Sequence, residues 1–223
     1  MKKIGIGIAF LVLLFVIPAV AQETDVIQTP PVFAIGDTWV YDGGFDSLDD
    51  AKAGKNPTSW DIIRIIREIN DKGILVSNPK GNRQFLYDKE FNLLERHVDG
   101  QSTFYKPFWP RYRYPMKVGD KYNVGFSHNR PDGFDNDYNA TVRVIGWEAV
   151  TVPAGTFKAL KVEMTGYWTH SLGIAAGTGR ADFREISWFA PELKMRHVLY
   201  LWEASWGMGS SSYYESLKSY SLK

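Results

Sequence analysis

Asp132, Asp135 and Asp137, in the stretch PDGFDNDYN, come nearest to a local cation site in this chain. A calcium loop of the EF-hand type alternates its oxygen ligands, turns on a glycine at its sixth place and closes with a distal glutamate. Only Asp135 and Asp137 meet that spacing, so the stretch reads as a solvated hairpin loop. His97, His128, His170 and His197 are scattered, with no local ligand spacing, and the chain has no cysteine. Thiolate catalysis, disulfides and cysteine metal sites are excluded, and no metal site is expected. The glycines of AAGTGR (175–180) lack the Lys-Ser/Thr that a phosphate loop carries after them. Ser210, Ser211 and Ser212 lack the G-x-S-x-G elbow of a serine hydrolase. No residue is assigned a catalytic role and no cofactor is expected, so the chain reads as a non-enzyme.

The aromatic side chains are the one compositional oddity: 8 Trp, 12 Tyr and 13 Phe make up 15% of the chain. Trp39, Trp60, Trp147, Trp168, Trp188 and Trp202 all fall in or beside segments with strand-like alternation. One reading is a concave, aromatic-lined face that takes a lipid, another apolar molecule or a sugar. Trp147, Leu160, Val162, Met164, Trp168 and Trp188 would then be its ligand-binding residues. The other reading is that these rings fill the core of a curved sheet, each burying ~150–250 Å². The same residues on the same strands serve both.

The elements that would hold them are β-strands. From Thr141 to Val162 the chain alternates apolar and polar residues on either side of Pro153 and Gly155, a hairpin closing on a tight turn. Leu160, Val162 and Met164 share one face, and Lys161 and Glu163 the other. Strands are also expected from Thr38, at 74–76, 85–87, 93–98, 102–105, 183–189 and 193–203, with a last one at 213–222. Trp60 to Ile69 is ambiguous. Its isoleucines fit a helical stripe, but β-branching and the hairpin-like Asn70-Asp71-Lys72-Gly73 favour a strand. Prolines at 107, 110 and 115 suggest an extended crossover over 108–116. Phe45–Pro57 and His128–Asn139 read as long polar loops. MKVGDKYNV (116–124) echoes FAIGDTWVY (33–41), each with Gly-Asp before an aromatic strand start, which reads as two turns sharing one local chemistry.

Met1 to Ala21 has the pattern of an export signal: Lys2 and Lys3, an uncharged apolar run from Ile4 to Ile17, Pro18 and an Ala-Val-Ala cleavage site. Cleavage near Ala21 would leave a flexible lead at 22–31 and one β domain at 32–223, periplasmic or secreted and without a transmembrane span. With no cysteine to lipidate, it is not expected to be a lipoprotein. Loss of the two lysines takes the formal net charge from +1 to −1. That balance offers nucleic acid no electrostatic footing. Lys158, Lys161, Glu163, Arg184, Glu185, Lys194 and Arg196 would put charge on both faces of several strands, which a barrel spanning the outer membrane could not tolerate facing lipid.

Three pieces together carry a resemblance: the Gly-Asp strand starts at Gly36 and Gly119, VTVPAGTFKALKV at 150–162, and ISWFAPELKMRHV at 186–198. The order is similar to an exported bacterial family known only as a domain of unknown function, marked by a V-P-A-G-T-F corner and a W-F-A-P segment. The resemblance implies a single strongly curved antiparallel sheet, a half-barrel or open barrel meander. That shape is broadly similar to the periplasmic carriers of lipoproteins, and no catalytic residues come with it. Two functions follow as expectations. One is a carrier of an apolar ligand in the concave face. The alternative is a non-enzymatic envelope structural or interaction protein with a self-filled core, meeting another envelope protein. An unfilled apolar cavity of ~300 Å³ or more would mark the first, a packed interior the second.

Overall fold

The computed structural model describes residues 26–45, 59–131, 133, 135–170, 179–207 and 209–223. The export signal, most of the expected loop at 45–57, Asp132 and most of the glycine-rich stretch at 172–179 lie outside the described residues. The described chain runs β1 (Val26–Ile27), β2 (Thr38–Phe45), β3 (Trp60–Asn70), β4 (Gly73–Ser77), β5 (Arg83–Tyr87), β6 (Leu93–Val98) and β7 (Gln101–Trp109). It continues through β8 (Met116–Lys117), β9 (Lys121–Asn129), β10 (Asn136–Val152), β11 (Gly155–His170) and β12 (Arg180–Ala190). A 3₁₀ turn at Pro191–Leu193 then leads to β13 (Arg196–Trp206) and β14 (Gly209–Ser221). Trp60–Ile69 is strand: Asn70 pairs with Gly73 across a two-residue turn, as the hairpin chemistry there suggests.

Twelve of these strands close into an antiparallel barrel in the order β10-β11-β12-β13-β14-β2-β3-β4-β5-β6-β7-β9, with β9 returning beside β10. The expected half-barrel or open sheet is therefore corrected. Alternation along each strand shows which side faces in, but not whether distant strands meet. Two long-range seams decide closure. β14 pairs with β2 from Tyr213↔Phe45 to Ser221↔Thr38. β7 pairs with β9 over only Phe104↔Asn129, Tyr105↔His128 and Lys106↔Ser127, after which Pro107 supplies no backbone donor. The expected loop at 128–139 is correspondingly short, since β9 and β10 take both its ends. The expected lead at 22–31 is also partly ordered, with Val26 and Ile27 pairing with Lys117 and Met116.

The two Gly-Asp sequences build the same local structure twice. Asp37 N–H donates to the Ala34 carbonyl (3.0 Å) and its carboxylate accepts from Ala34 N–H (2.7 Å). Asp120 and Lys117 repeat both bonds at 3.0 Å. Gly36 N–H and the Asp37 carbonyl then bracket Ile66, as Gly119 and Asp120 bracket Val144. Each turn clamps the next strand of the barrel. Gly36 and Gly119, at φ of 95° and 91°, hold a left-handed backbone that a side chain would strain.

The hairpin at Pro153–Ala154 forms as its sequence indicates, with Val152 paired to Gly155. A feature its alternation conceals is a bulge. Pairing steps from Val144↔Val162 to Gly146↔Lys161 and leaves Ile145 unmatched. Beyond the bulge the hairpin outruns β12, whose pairing with β11 stops at Leu160↔Phe189. This arm reaches β14, where Ala154 N–H donates to the Leu217 carbonyl (3.1 Å). Its Val150, Val152 and Phe157 are buried, and so are Ile186, Trp188, Leu199 and Leu201 on the outer face of β12 and β13. The barrel is thus double-layered there. Farther along, Arg184 pairs with Glu163 on the outer face at 2.6 Å and lies opposite Glu203, a charged girdle that lipid would penalise.

Candidate functional site

Leu160, Val162 and Met164 stand in a row on the inner face of β11, and Trp168 continues that row. All four are buried. Trp147, directly opposite Leu160, is half-buried on the arm, with Lys158 Nζ 5.5 Å from its ring. Trp188 does not join them. Strand parity on β12 turns Ala181, Phe183, Glu185, Ser187 and Phe189 inward and Trp188 outward, where its indole N–H donates to Glu148 and Lys161 Nζ sits 5.0 Å from its ring. The structure therefore brings most of the expected face together but places Trp188 on the opposite side of the sheet.

What the row meets is the chain itself. The expected crossover begins inside β7, which runs on to Trp109, and the segment that follows turns into the barrel. Tyr112 N–H donates to Asn92 Oδ1 (2.8 Å) and its hydroxyl to the Met195 carbonyl (3.0 Å). Its ring packs 4.7 Å from Phe189 and 6.1 Å from Phe91. Between Pro110 and Arg111 on one side and Val142, Val162, Met164 and Glu185 on the other, a void of about 10 Å³ remains. A void of that size has room for about one water and nothing larger, so the expected ligand floor is packed against protein.

The interior is also charged. Directly across from Met164, buried Glu185 accepts from Arg111 Nε (2.8 Å), Trp109 Nε1 (3.1 Å) and the Tyr200 hydroxyl (3.2 Å). One register step away, Glu215 accepts from Arg64 Nη2 (3.2 Å), the Tyr213 hydroxyl (2.7 Å) and His197 Nε2 (2.9 Å), the last with the ring proton on that nitrogen. Burial opposes the Glu215 carboxylate, but Arg64 and the bonds from His197 and Tyr213 outweigh it and hold the carboxyl well below its usual range. Burial lowers His197 from 6.5 to about 4, with the Glu215 bond offsetting part of that effect, so the ring is neutral at pH 7. Burial, and after it the nearest carboxylate, raises the Tyr200 and Tyr213 phenols well above their ordinary value. Both stay protonated and serve as donors. Arg196, also buried, lies between the rings of Trp39 (5.4 Å) and Phe91 (5.0 Å).

None of Arg64, Arg111, Glu185, His197, Tyr200 or Glu215 was singled out for the interior by residue type or spacing. Parity was the available signal, since Glu185 alternates with inward Phe183 and Ser187. One serine–histidine contact also forms. Ser102 Oγ lies 3.0 Å from His97 Nδ1 and donates to Glu95 Oε1 (2.8 Å) beside an outer groove of about 290 Å³. The serine sits between acid and histidine and gives its proton to the acid. His97 then donates to it and cannot act as its base, which is the reverse of a hydrolase triad. Among the described residues no group of three or more His, Asp or Glu side chains is placed to hold a metal.

No family model matches the chain, and no curated protein sequence matches it. Solved structures with a similar course of chain include one from Parabacteroides distasonis described as a "putative lipoprotein" (13% identity, TM-score 0.49), covering 87% of this chain and 100% of that one. A Bacteroides fragilis structure, described as a "putative exported protein with YmcC-like fold", has 12% identity and a TM-score of 0.48 over the same shares. The hypothetical lipoprotein YmcC of Escherichia coli has 9% identity and a TM-score of 0.48, with 84% of each chain covered. At these values no function passes from them to this chain. By its own architecture the protein is a closed antiparallel β-barrel with an internally hydrogen-bonded core.

Proposed function

We propose that this protein is an exported, non-enzymatic envelope module that acts through its surface, its barrel being a rigid frame filled by its own side chains. The observation that carries this reading is the void of about 10 Å³ beside Val162 and Met164, where a carrier would need a cavity of ~300 Å³. The buried ionisable groups support it as well. Glu185 and Glu215 spend their oxygens on Arg111, Trp109, Tyr200, Arg64, Tyr213 and His197, and they lie inside the barrel rather than in a cleft. The pattern of Met1 to Ala21 supports export to the periplasm or beyond.

Native mass spectrometry of the protein purified from its own envelope tests the reading. The expected result is the mass of the bare chain, unchanged on adding phospholipid or fatty acid. A stoichiometric lipid adduct that survives desalting would sink it and restore the carrier reading. Crosslinking in intact cells should capture a surface partner through outward or rim residues, and not through Leu160 or Met164.

A further inference from the structure

One stretch of strand edge in the barrel wall has no matched partner among the described residues. β9 pairs with β10 from His128↔Asn136 to Lys121↔Arg143, but with β7 only at Asn129, His128 and Ser127. Past Lys106, β7 runs on to Trp109, which pairs with Leu93 on the β6 side, and the chain then turns into the interior. The clamp at Asp120 fixes which backbone groups this leaves over. Val144 N–H donates to the Asp120 carbonyl (2.9 Å), and the Val144 carbonyl accepts from Gly119 N–H (2.9 Å), so both groups point toward β9. Direction alternates along an antiparallel ladder. Val142, Ala140 and Tyr138 therefore exchange bonds with Tyr122, Val124 and Phe126, and Lys121, Asn123 and Gly125 aim their N–H and C=O groups away from β10, into the seam. Exposure follows the same pattern. Lys121, Asn123 and Gly125 are exposed, and inward Tyr122 and Val124 are only half-buried, whereas Val142 and Ala140 directly opposite them are buried. The short β1 pairs with β8 and with no part of β9.

We propose that this edge of β9 is a docking slot for an extended segment of another envelope protein, which joins the wall as a short added strand. From Lys121 to Gly125 the slot is about 17 Å long, at ~3.4 Å per residue. Backbone bonds to Lys121, Asn123 and Gly125 would hold the segment, and apolar side chains at its alternate positions would cover Tyr122 and Val124. Charge sets what flanks those positions. Around the open end stand Lys117, Lys121, Arg143 opposite it, and the Arg113 guanidinium 4.9 Å over the Tyr122 ring. The acids near them are engaged: an Asp120 oxygen accepts Lys117 N–H (3.0 Å), and Glu163 pairs with Arg184 (2.6 Å). At the closed end Lys106 and Asp137 both lie beside Ser127 and balance each other. The slot thus suits a strand with acidic ends. A second copy of this chain would set the same cations against one another, so a different protein is the fitting occupant. This inference rests on the surface-acting reading above and names the surface and the kind of partner.

The test uses the full mature chain and synthetic peptides, read by amide hydrogen exchange in NMR spectra. The first peptide alternates valine and threonine between Glu-Asp and Asp-Glu ends. The second has the same centre between lysine ends, and the third is the acidic peptide with N-methylated valines. In the free protein the amides of Lys121, Asn123 and Gly125 should exchange fast and those of Tyr122, Val124 and Phe126 slowly. The acidic peptide should slow the first set, with a Kd of about 1 mM or tighter. Lysine ends should weaken that by about tenfold, and N-methylation should abolish it. Asn123→Pro removes a seam-facing N–H and no bond to β10, so it should end binding with circular dichroism unchanged. Lys121→Glu should shift preference toward the lysine-ended peptide. Slow exchange at Lys121, Asn123 and Gly125 in the free protein overturns the proposal, because the edge is then already paired. So does failure of the acidic peptide to protect them, or protection indifferent to Asn123→Pro. Any of these results removes the slot and leaves the filled barrel standing, whereas a stoichiometric lipid adduct in native mass spectrometry removes the reading beneath it.

Discussion

Glu185 shows how much one inward side chain can hold. Its carboxylate receives Arg111, Trp109 and Tyr200 from two separate parts of the chain, tying the internal segment to β12 and β13. Glu185→Gln leaves the Arg111 guanidinium without its carboxylate in a largely dry site and should cost about 3 kcal/mol in urea unfolding. In a double-mutant cycle with Arg111→Met, much of that loss should vanish, because both charged ends are then gone. His197 sets a pH dependence. Its folded value of about 4 lies below the ordinary 6.5, so the unfolded chain takes up the proton first and stability falls as pH drops between those values. Roughly 2 kcal/mol should be lost from pH 7 to pH 5, and His197→Gln should flatten that slope. Glu215, also held low, adds its own loss below the usual carboxylate range, in the same direction. Equal stability of the wild type at pH 7 and pH 5 would contradict this assignment.

The segment from Trp109 to Pro115 is the element on which the functional reading depends, because it converts a hollow ring into a packed one. Tyr112→Ala removes a ring wedged against Phe189 and Phe91 and should cost about 3–5 kcal/mol. The same variant should gain binding of a small apolar dye that the wild type ignores, provided it stays folded. Dye binding by the wild type would show that the packing is looser than drawn. The β10–β11 ribbon is close-packed in another way. A Cβ on Gly166 would lie 2.1 Å from the Asn139 carbonyl oxygen and 2.6 Å from Ala140 Cα. Both are backbone atoms that cannot step aside. Gly166→Ala should therefore lower the thermal midpoint by several degrees or abolish soluble expression, whereas Gly125→Ala, whose nearest neighbour lies at 3.8 Å, should be mild.

For the whole molecule, closure removes most of the free sheet edge that a half-barrel would expose. The ring is not equally strong around its circumference. β10 and β11 pair along almost their full lengths, while the β7–β9 seam holds only three matched positions before Pro107 ends it. Hydrogen exchange should find the amides of Phe104, Lys106 and Ser127 opening well before those of Val142 to Val144 and Val162 to Met164. Uniform protection around the ring would refute that ordering.

Local chemistry was legible in the chain alone. Alternation placed Leu160, Val162 and Met164 on one face, Asn70–Gly73 and Pro153–Gly155 turned where expected, and the paired Gly-Asp starts built matching clamps. These depend on neighbours within a few residues, which sequence reports directly. Trp188 and Ile145 mark the limit of that reasoning. Strand parity depends on the pairing partner, and a single bulged residue shifts a register that composition does not record. Closure of the barrel, the entry of 109–115 into its interior and the meeting of Arg111 with Glu185 join residues many positions apart. Only the tertiary structure decides those, because they depend on which surfaces remain unburied once the strands have paired. The aromatic residues divide along the same line. Their number and strand positions were plain, but the packing alone determined that Trp39 is buried in the core while Phe45, Trp60 and Trp206 stand exposed at strand ends.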